Sequence, residues 1–162
     1  MYRRIMVPLD GSELAECVLP HVETVIKGCN IPSVEFIRVV EPAHLPVGTL
    51  SDGGPAYTSK DAERDREIID QQNQAEAANY LKRISSDPRY ANATVKTAVL
   101  KGSPAAEITD YVEKNQVDLV VIATHGRSGI SRWIMGSTAD RVLRSVCVPV
   151  LMVRAPGCVR GI

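Results

Sequence analysis

Five short apolar runs divide this chain, at Arg4–Leu9, Ser33–Val40, Thr94–Leu100, Val117–Ile122 and Pro149–Val153, and a helical pattern fills each interval between them. Runs of this length bounded by turn residues read as strands, whereas apolar residues spaced by three and four read as helix faces. The first interval carries such a face at Leu14, Val18, Val22, Val25 and Ile26 and closes near Gly28. The second, from Asp61 to Ser86, is polar and alanine-rich, with Ile68, Ala75, Ala78, Leu81 and Ile84 near one stripe. The third starts at Ser103-Pro104, an N-cap and a first helical position, and turns Ile108, Tyr111 and Val112 inward. The fourth repeats Ala139, Val142, Leu143 and Val146. Strands that alternate with helices form a parallel sheet covered on both faces, and right-handed crossovers wind it doubly. The expected fold is α/β, a doubly wound five-stranded parallel sheet. At 162 residues the chain fits one domain, residues 1–154, with a tail at 155–162.

Proline and glycine punctuate these elements. Pro8 has no N–H and should end the first strand's ladder. Asp10-Gly11-Ser12 is a turn with Ser12 at the helix N-cap. Pro20 should bend the first helix, and Asp87-Pro88 should break the second. Residues 42–59 contain Gly48, Gly53, Gly54, Pro42, Pro46 and Pro55 and show little periodicity. They read as a long connection or as a flap over a ligand. The last strand is short and lies at an edge, a position that often pairs with another chain.

Composition excludes several function classes. Lys plus Arg equals Asp plus Glu at 19 each, which argues against a broad nucleic-acid footprint. No apolar run reaches the length of a membrane span. Met1-Tyr2-Arg3-Arg4 leads into a strand rather than a signal peptide, so a cytoplasmic location is expected. Cys17, Cys29, Cys147 and Cys158 form no C-x-x-C pair; Cys17 and Cys147 read as core fillers and Cys158 lies in the tail. The Walker motif, a G-x-G-x-x-G after the first strand and a G-x-S-x-G elbow are all missing.

The chemistry concentrates in Ala123–Thr138, where a buried strand passes through a glycine-bearing loop into a helix. The first N–H groups of a helix have no internal partner, and its dipole favours an anion there. Gly136-Ser137-Thr138 would set small residues and two hydroxyls at that start, a cradle suited to the phosphates of a nucleotide. The plainer reading is that Gly126 and Gly129 supply turn angles and Ser137 is an ordinary cap. Arg127 and Arg132 flank the loop, either neutralising phosphate or solvated. His125 has the intrinsic pKa of a general base, but a histidine there can equally order the turn, and no nucleophile accompanies it. Asp10 either accepts from ribose hydroxyls or an adenine amine, or caps its own turn. Asp10 and Ala123–Gly126 both follow strands directly, at the carboxyl edge where such sheets bind ligands.

These residues resemble the universal stress protein family, whose ATP-binding members carry G-x2-G-x9-G-[ST] between the fourth strand and the fourth helix. The matching run is Ala123-x2-Gly126-x9-Gly136-Ser137, with Ala123 in place of the first glycine. Val7-Pro8-Leu9-Asp10-Gly11-Ser12, Gly102-Ser103-Pro104 and Pro149–Val153 also look like the family, so the resemblance runs from Tyr2 to Arg154. It implies sheet order 3-2-1-4-5, with a nucleotide across the gap between strands one and four. The adenosine end would lie near Pro8, Leu9, Asp10 and Val39, with backbone from Ile122 and Ala123. The phosphates would lie at Gly126, Gly136, Ser137 and Thr138, beside Arg127, with Mg²⁺ or Mn²⁺ held mainly by the phosphates. It further implies a homodimer through the last strand, Val148–Val153. The implied function is an ATP-binding stress-response regulator or sensor with slow or no hydrolysis. The alternatives are an interaction protein of the same fold without nucleotide and a sensor of AMP or cyclic AMP. A strand-ending Ala123 should be extended; at a positive φ it would cost on the order of 1 kcal/mol or more.

Overall fold

The computed structural model describes residues 2–43, 59–124 and 136–154, and in them five parallel strands pair in the order β3-β2-β1-β4-β5. The strands are β1 (Arg4–Pro8), β2 (Ser33–Val40), β3 (Thr94–Lys101), β4 (Leu119–Ala123) and β5 (Val150–Val153). The helices are α1 (Glu13–Glu16), α2 (Leu19–Cys29), α3 (Ser59–Ser85), α4 (Pro104–Lys114) and α5 (Ser137–Ser145). The expected fold class and strand order are those observed.

Alternation along the strands sorts the core into two layers. Ile5, Val7, Val34, Phe36 and Val121 pack with Val22, Ile26, Leu81 and Ile84 of α2 and α3. Met6, Ile37, Val120 and Ile122 pack with Ile108, Val112, Ala139 and Val142 of α4 and α5. Burying each large side chain contributes about 1.5–3 kcal/mol. A 3-10 turn at Pro88–Tyr90, not expected from the sequence, buries Tyr90 against Phe36 with ring centroids 5.0 Å apart. Burial pushes the Tyr90 hydroxyl up to about 12.

Both N-terminal prolines act differently from what was expected. Pro20 splits the first helix rather than bending it, because it offers no N–H to the Glu16 carbonyl and its ring crowds that turn. α1 ends in three-residue bonds, Cys17 N–H to the Leu14 carbonyl and Val18 N–H to that of Ala15, both 3.4 Å. α2 restarts at Leu19 with Pro20 in its first turn. Pro8 ends its ladder on one side only. The Leu9 N–H reaches the Ile37 carbonyl at 2.8 Å, so the odd residues of β1 face β2. The β1–β2 register runs to Pro8↔Ile37, whereas β1–β4 stops at Met6↔Val120.

Three core expectations fail. On α3, Ile68 is 45% exposed, and Ala75 and Ala78 are exposed too; the buried stripe is Ala62, Asp70, Ala77, Leu81 and Ile84. A polar member in the stripe hid the true phase of the helix. Leu143 of α5 is 41% exposed, one position off the Ala139–Val142 face. Cys147 is exposed just past α5, whereas Cys17 packs partly against the core. Asp70 accepts the Ala43 N–H at 2.9 Å and lies 2.6 Å from Lys101 Nζ, tying α3 to the ends of β2 and β3. Most of the 42–59 connection, the tail at 155–162 and Cys158 lie outside the described residues.

Candidate functional site

Above the point where β1 and β4 part, the carboxyl edge of the sheet opens into a cleft of about 630 Å³, in the range of about 300–1,000 Å³ typical of small-ligand pockets. It sits at the switch point of strand order, where one crossover leads to one face and the next to the other. Pro8, Leu9 and Asp10 from the end of β1, Val39 from β2, and Ile122 and Ala123 from β4 line it together with Gly136, Ser137 and Thr138. Nine of the eleven residues singled out from the sequence thus share one cavity; Gly126 and Arg127, like His125, Gly129 and Arg132, lie outside the described residues. Ala123 is a strand residue, and the described non-glycine residues with positive φ are Asn30 and Gln116. The methyl group at this position therefore meets no backbone penalty.

One wall is a helix start. Gly136, not Ser137, is the N-cap of α5, and no side chain caps it. The first helical bond runs from the Asp140 N–H to the Gly136 carbonyl at 2.9 Å. The amides of Ser137, Thr138 and Ala139 precede that bond and have no acceptor among the described residues. The N–H of Gly136 is not part of this donor set, since it goes to the Thr124 carbonyl at 2.7 Å. The donors therefore begin at Ser137, and Gly136 ties the start of α5 to the end of β4. Pro104, at the start of α4, borders the same cleft.

The floor offers a second open backbone edge. The Ile37 carbonyl faces β1, taking the Leu9 N–H, while the Val40 carbonyl faces β3, taking the Gly102 N–H at 3.0 Å. The two-residue period of a strand turns the Val39 N–H and C=O to the β1 side. There β1 has already ended and the cleft begins.

Asp10 shows the turn-capping role. The N–H and hydroxyl of Ser12 donate to Asp10 Oδ1 at 2.9 and 2.6 Å, and Ser12 Oγ accepts the Ala15 N–H at 3.1 Å. Gly11 holds φ +88°, and a Cβ there would come within 2.9 Å of the Arg38 guanidinium. Arg38 in turn lies 5.2 Å from the centre of the Tyr80 ring, as does Arg83. Burial, followed by the charge of Glu16, pushes the Tyr80 hydroxyl well above its usual range.

The opposite wall was missed. Arg38, Glu41, Asn73 and Glu76 line the cleft, the last two from α3. The signal was present in α3: the steps Asp70, Asn73, Ala77, Leu81 and Ile84 keep helical spacing while changing from polar to apolar. Polar residues at the top of an inward stripe mark the stretch where the helix leaves the core and borders the cleft. Among the described residues the cleft is thus sided, with the Ser137–Ala139 amides on the α5 wall and Arg38 and Glu41 from β2 and its end, with Asn73 and Glu76 of α3, opposite.

The chain matches the family model described as the universal stress protein family over residues 1–154. It is 30% identical over 156 residues to universal stress protein MJ0531 of Methanocaldococcus jannaschii, spanning 96% of this chain and 84% of that protein. The solved structure of protein MJ0577, from the same organism, superposes with a TM-score of 0.79 at 25% identity, over 97% of this chain and 99% of that one. A universal stress protein family protein from Arabidopsis thaliana, solved with AMP bound, shares the fold with a TM-score of 0.63 at 14% identity, over 96% and 93% of the two chains.

Proposed function

This chain belongs to the universal stress protein family, and from that premise we propose that it is a stress-response regulator that binds ATP in the cleft above β1 and β4, with slow or no hydrolysis. The observation that carries this reading is the pairing, across one cavity, of the Val39 peptide edge with the Ser137–Ala139 amides, which have no acceptor among the described residues. A neighbouring N–H and C=O complement the N1 acceptor and N6 amine of adenine. Amides at a helix start complement phosphate. Gly126 and Arg127 join the phosphate end in this reading, on the strength of the sequence pattern.

No group of three or more His, Cys, Asp or Glu suited to a metal occurs among the described residues. In this reading Mg²⁺ or Mn²⁺ arrives on the phosphates and the protein holds the phosphates. Asp10 Oδ1 is engaged in its own turn, accepting the N–H and hydroxyl of Ser12. AMP or cyclic AMP is a second reading, favoured by the AMP-bound relative of the same fold. No helix among the described residues is long and apolar enough to cross a membrane. A homodimer through Val148–Val153 belongs to the same proposal: among the described residues β5 pairs with β4 alone, and Leu151 on it is 37% exposed.

The test is to denature the purified protein, identify any released nucleotide by ion-exchange, and titrate the emptied protein with ATP, AMP and cyclic AMP by calorimetry. ATP binding at micromolar to low-millimolar concentration is expected. No released nucleotide and no heat with any of the three removes the reading and leaves the interaction-protein alternative.

A further inference from the structure

Pro8 stands where the sheet asks for a donor. The odd residues of β1 face β2, as the Leu9 bond to Ile37 requires, and the Arg4 carbonyl faces the other way, accepting the Asp118 N–H at 3.0 Å. Even residues therefore face β4. To continue the parallel ladder beyond Met6↔Val120, residue 8 would have to donate its N–H to the carbonyl of Val121. Proline has none to give.

The neighbouring ladders do not stop there. The β1–β2 register reaches Pro8↔Ile37, and β4–β5 reaches Ala123↔Val153. Only the β1–β4 seam ends early, and its end is the floor of the cleft, lined by Pro8, Leu9, Ile122 and Ala123. Resting on the nucleotide reading of that cleft, we infer that Pro8 is a positioning residue: its missing N–H keeps β1 and β4 from pairing to their ends and holds the gap open for the nucleoside. Every other residue type restores the donor. The ladder then advances by one bond and draws the strands to a spacing of about 4.8 Å where the ligand would enter.

The experiment measures amide exchange by NMR without nucleotide in wild type, Pro8→Val and Pro8→Ala, and then ATP affinity in the same three proteins. In both variants the new residue 8 amide exchanges at least 100-fold more slowly than an open-loop amide. ATP binds at least tenfold more weakly, and the thermal midpoint does not fall. A proline with a merely structural role would lower the midpoint and leave that amide unprotected. In wild type the Ala123 amide exchanges at least tenfold faster than the Val121 amide, a measurement that stands even where a variant folds poorly. A fast amide at residue 8, equal protection of Ala123 and Val121, or a protected residue 8 with unchanged ATP affinity overturns the inference. Wild-type protein that binds no nucleotide removes the functional reading instead, and the exchange data alone then decide whether Pro8 holds the seam open.

Discussion

The N–H of Gly136 donates to the carbonyl of Thr124 across 2.7 Å, so one hydrogen bond ties the start of α5 to the end of β4. That bond fixes the N-cap of α5 relative to the strand end, and with it the direction of the Ser137–Ala139 amides. Gly136 has φ −54° and ψ 139°, angles open to any residue, so its value lies in bare backbone rather than in a special conformation. Gly136→Val should therefore fold with wild-type circular dichroism yet bind ATP at least tenfold more weakly by calorimetry. Unchanged affinity would separate the glycine from the site.

Charge at the α5 start should be visible in a ligand series. Hydrogen bonds to a charged group are worth about 1.5–3 kcal/mol each, and a favourable dipole adds about 0.3–1 kcal/mol. Adenosine should bind at least tenfold more weakly than AMP or ATP. The gap should narrow as salt rises from 50 mM to 500 mM, because screening shortens the reach of the field. Equal affinities for adenosine and ATP at low salt would place the phosphates outside the cradle.

The fold was legible because its signals are local: period-two runs, capping residues and prolines each speak for their own neighbourhood. Asp10 and Ala123 could be assigned to one edge because parallel strands put every strand-to-helix turn at the same end, whereas Pro8, Leu9, Val39 and Ile122 came from the family resemblance. The α3 wall was not read, although the polar-to-apolar steps of α3 carried its signal. Asn73 and Glu76 reach the cleft only because α3 packs across β2 and β3 in one phase, and Asp70 at a buried position made that phase look wrong. Leu143 misled for the opposite reason, since an apolar residue beside the true stripe looks the same in sequence whether it is covered or not. The role of Gly136 escaped because the acceptor for its N–H, the Thr124 carbonyl, is twelve positions away in sequence and is met only in the folded chain.

The corrected stripe of α3 can be checked by stability. Leu81 is fully buried and Ile68 is 45% exposed. Leu81→Ala should cost about 2–5 kcal/mol in urea unfolding, from lost transfer energy and a residual cavity. Ile68→Ala should stay within about 0.5 kcal/mol of wild type. Comparable losses at both positions would restore the stripe expected from sequence.

Asp70 links acid stability to the top of α3. The Lys101 ammonium, then the Ala43 N–H, hold its carboxyl below the ordinary value of 3.8. A group depressed on folding stabilises above its unfolded pKa, and that stability is lost as pH falls through the folded value. Asp70→Asn should therefore lower the thermal midpoint at pH 7. The difference from wild type should shrink below pH 3.8, where Asp70 takes up its proton. A difference that is constant from pH 7 to pH 2 would show that shape, not charge, is what the position requires.

The free edge of β5 gives the last test. A strand with one neighbour presents a row of backbone donors and acceptors to solvent, and soluble proteins blunt such edges with charge, proline or a partner. β5 carries no charged residue between Val150 and Val153, and Leu151 is 37% exposed in the single chain. Pairing with a second copy would cover both the edge and Leu151. Leu151→Arg places two like charges across that two-fold interface, while in the monomer its stem stays solvated. Sedimentation velocity should show wild type as a dimer at micromolar concentration and the variant as a monomer with wild-type circular dichroism. A monomeric wild type, or a dimer that survives Leu151→Arg, would assign the edge to some other contact and leave the cleft to act within one chain.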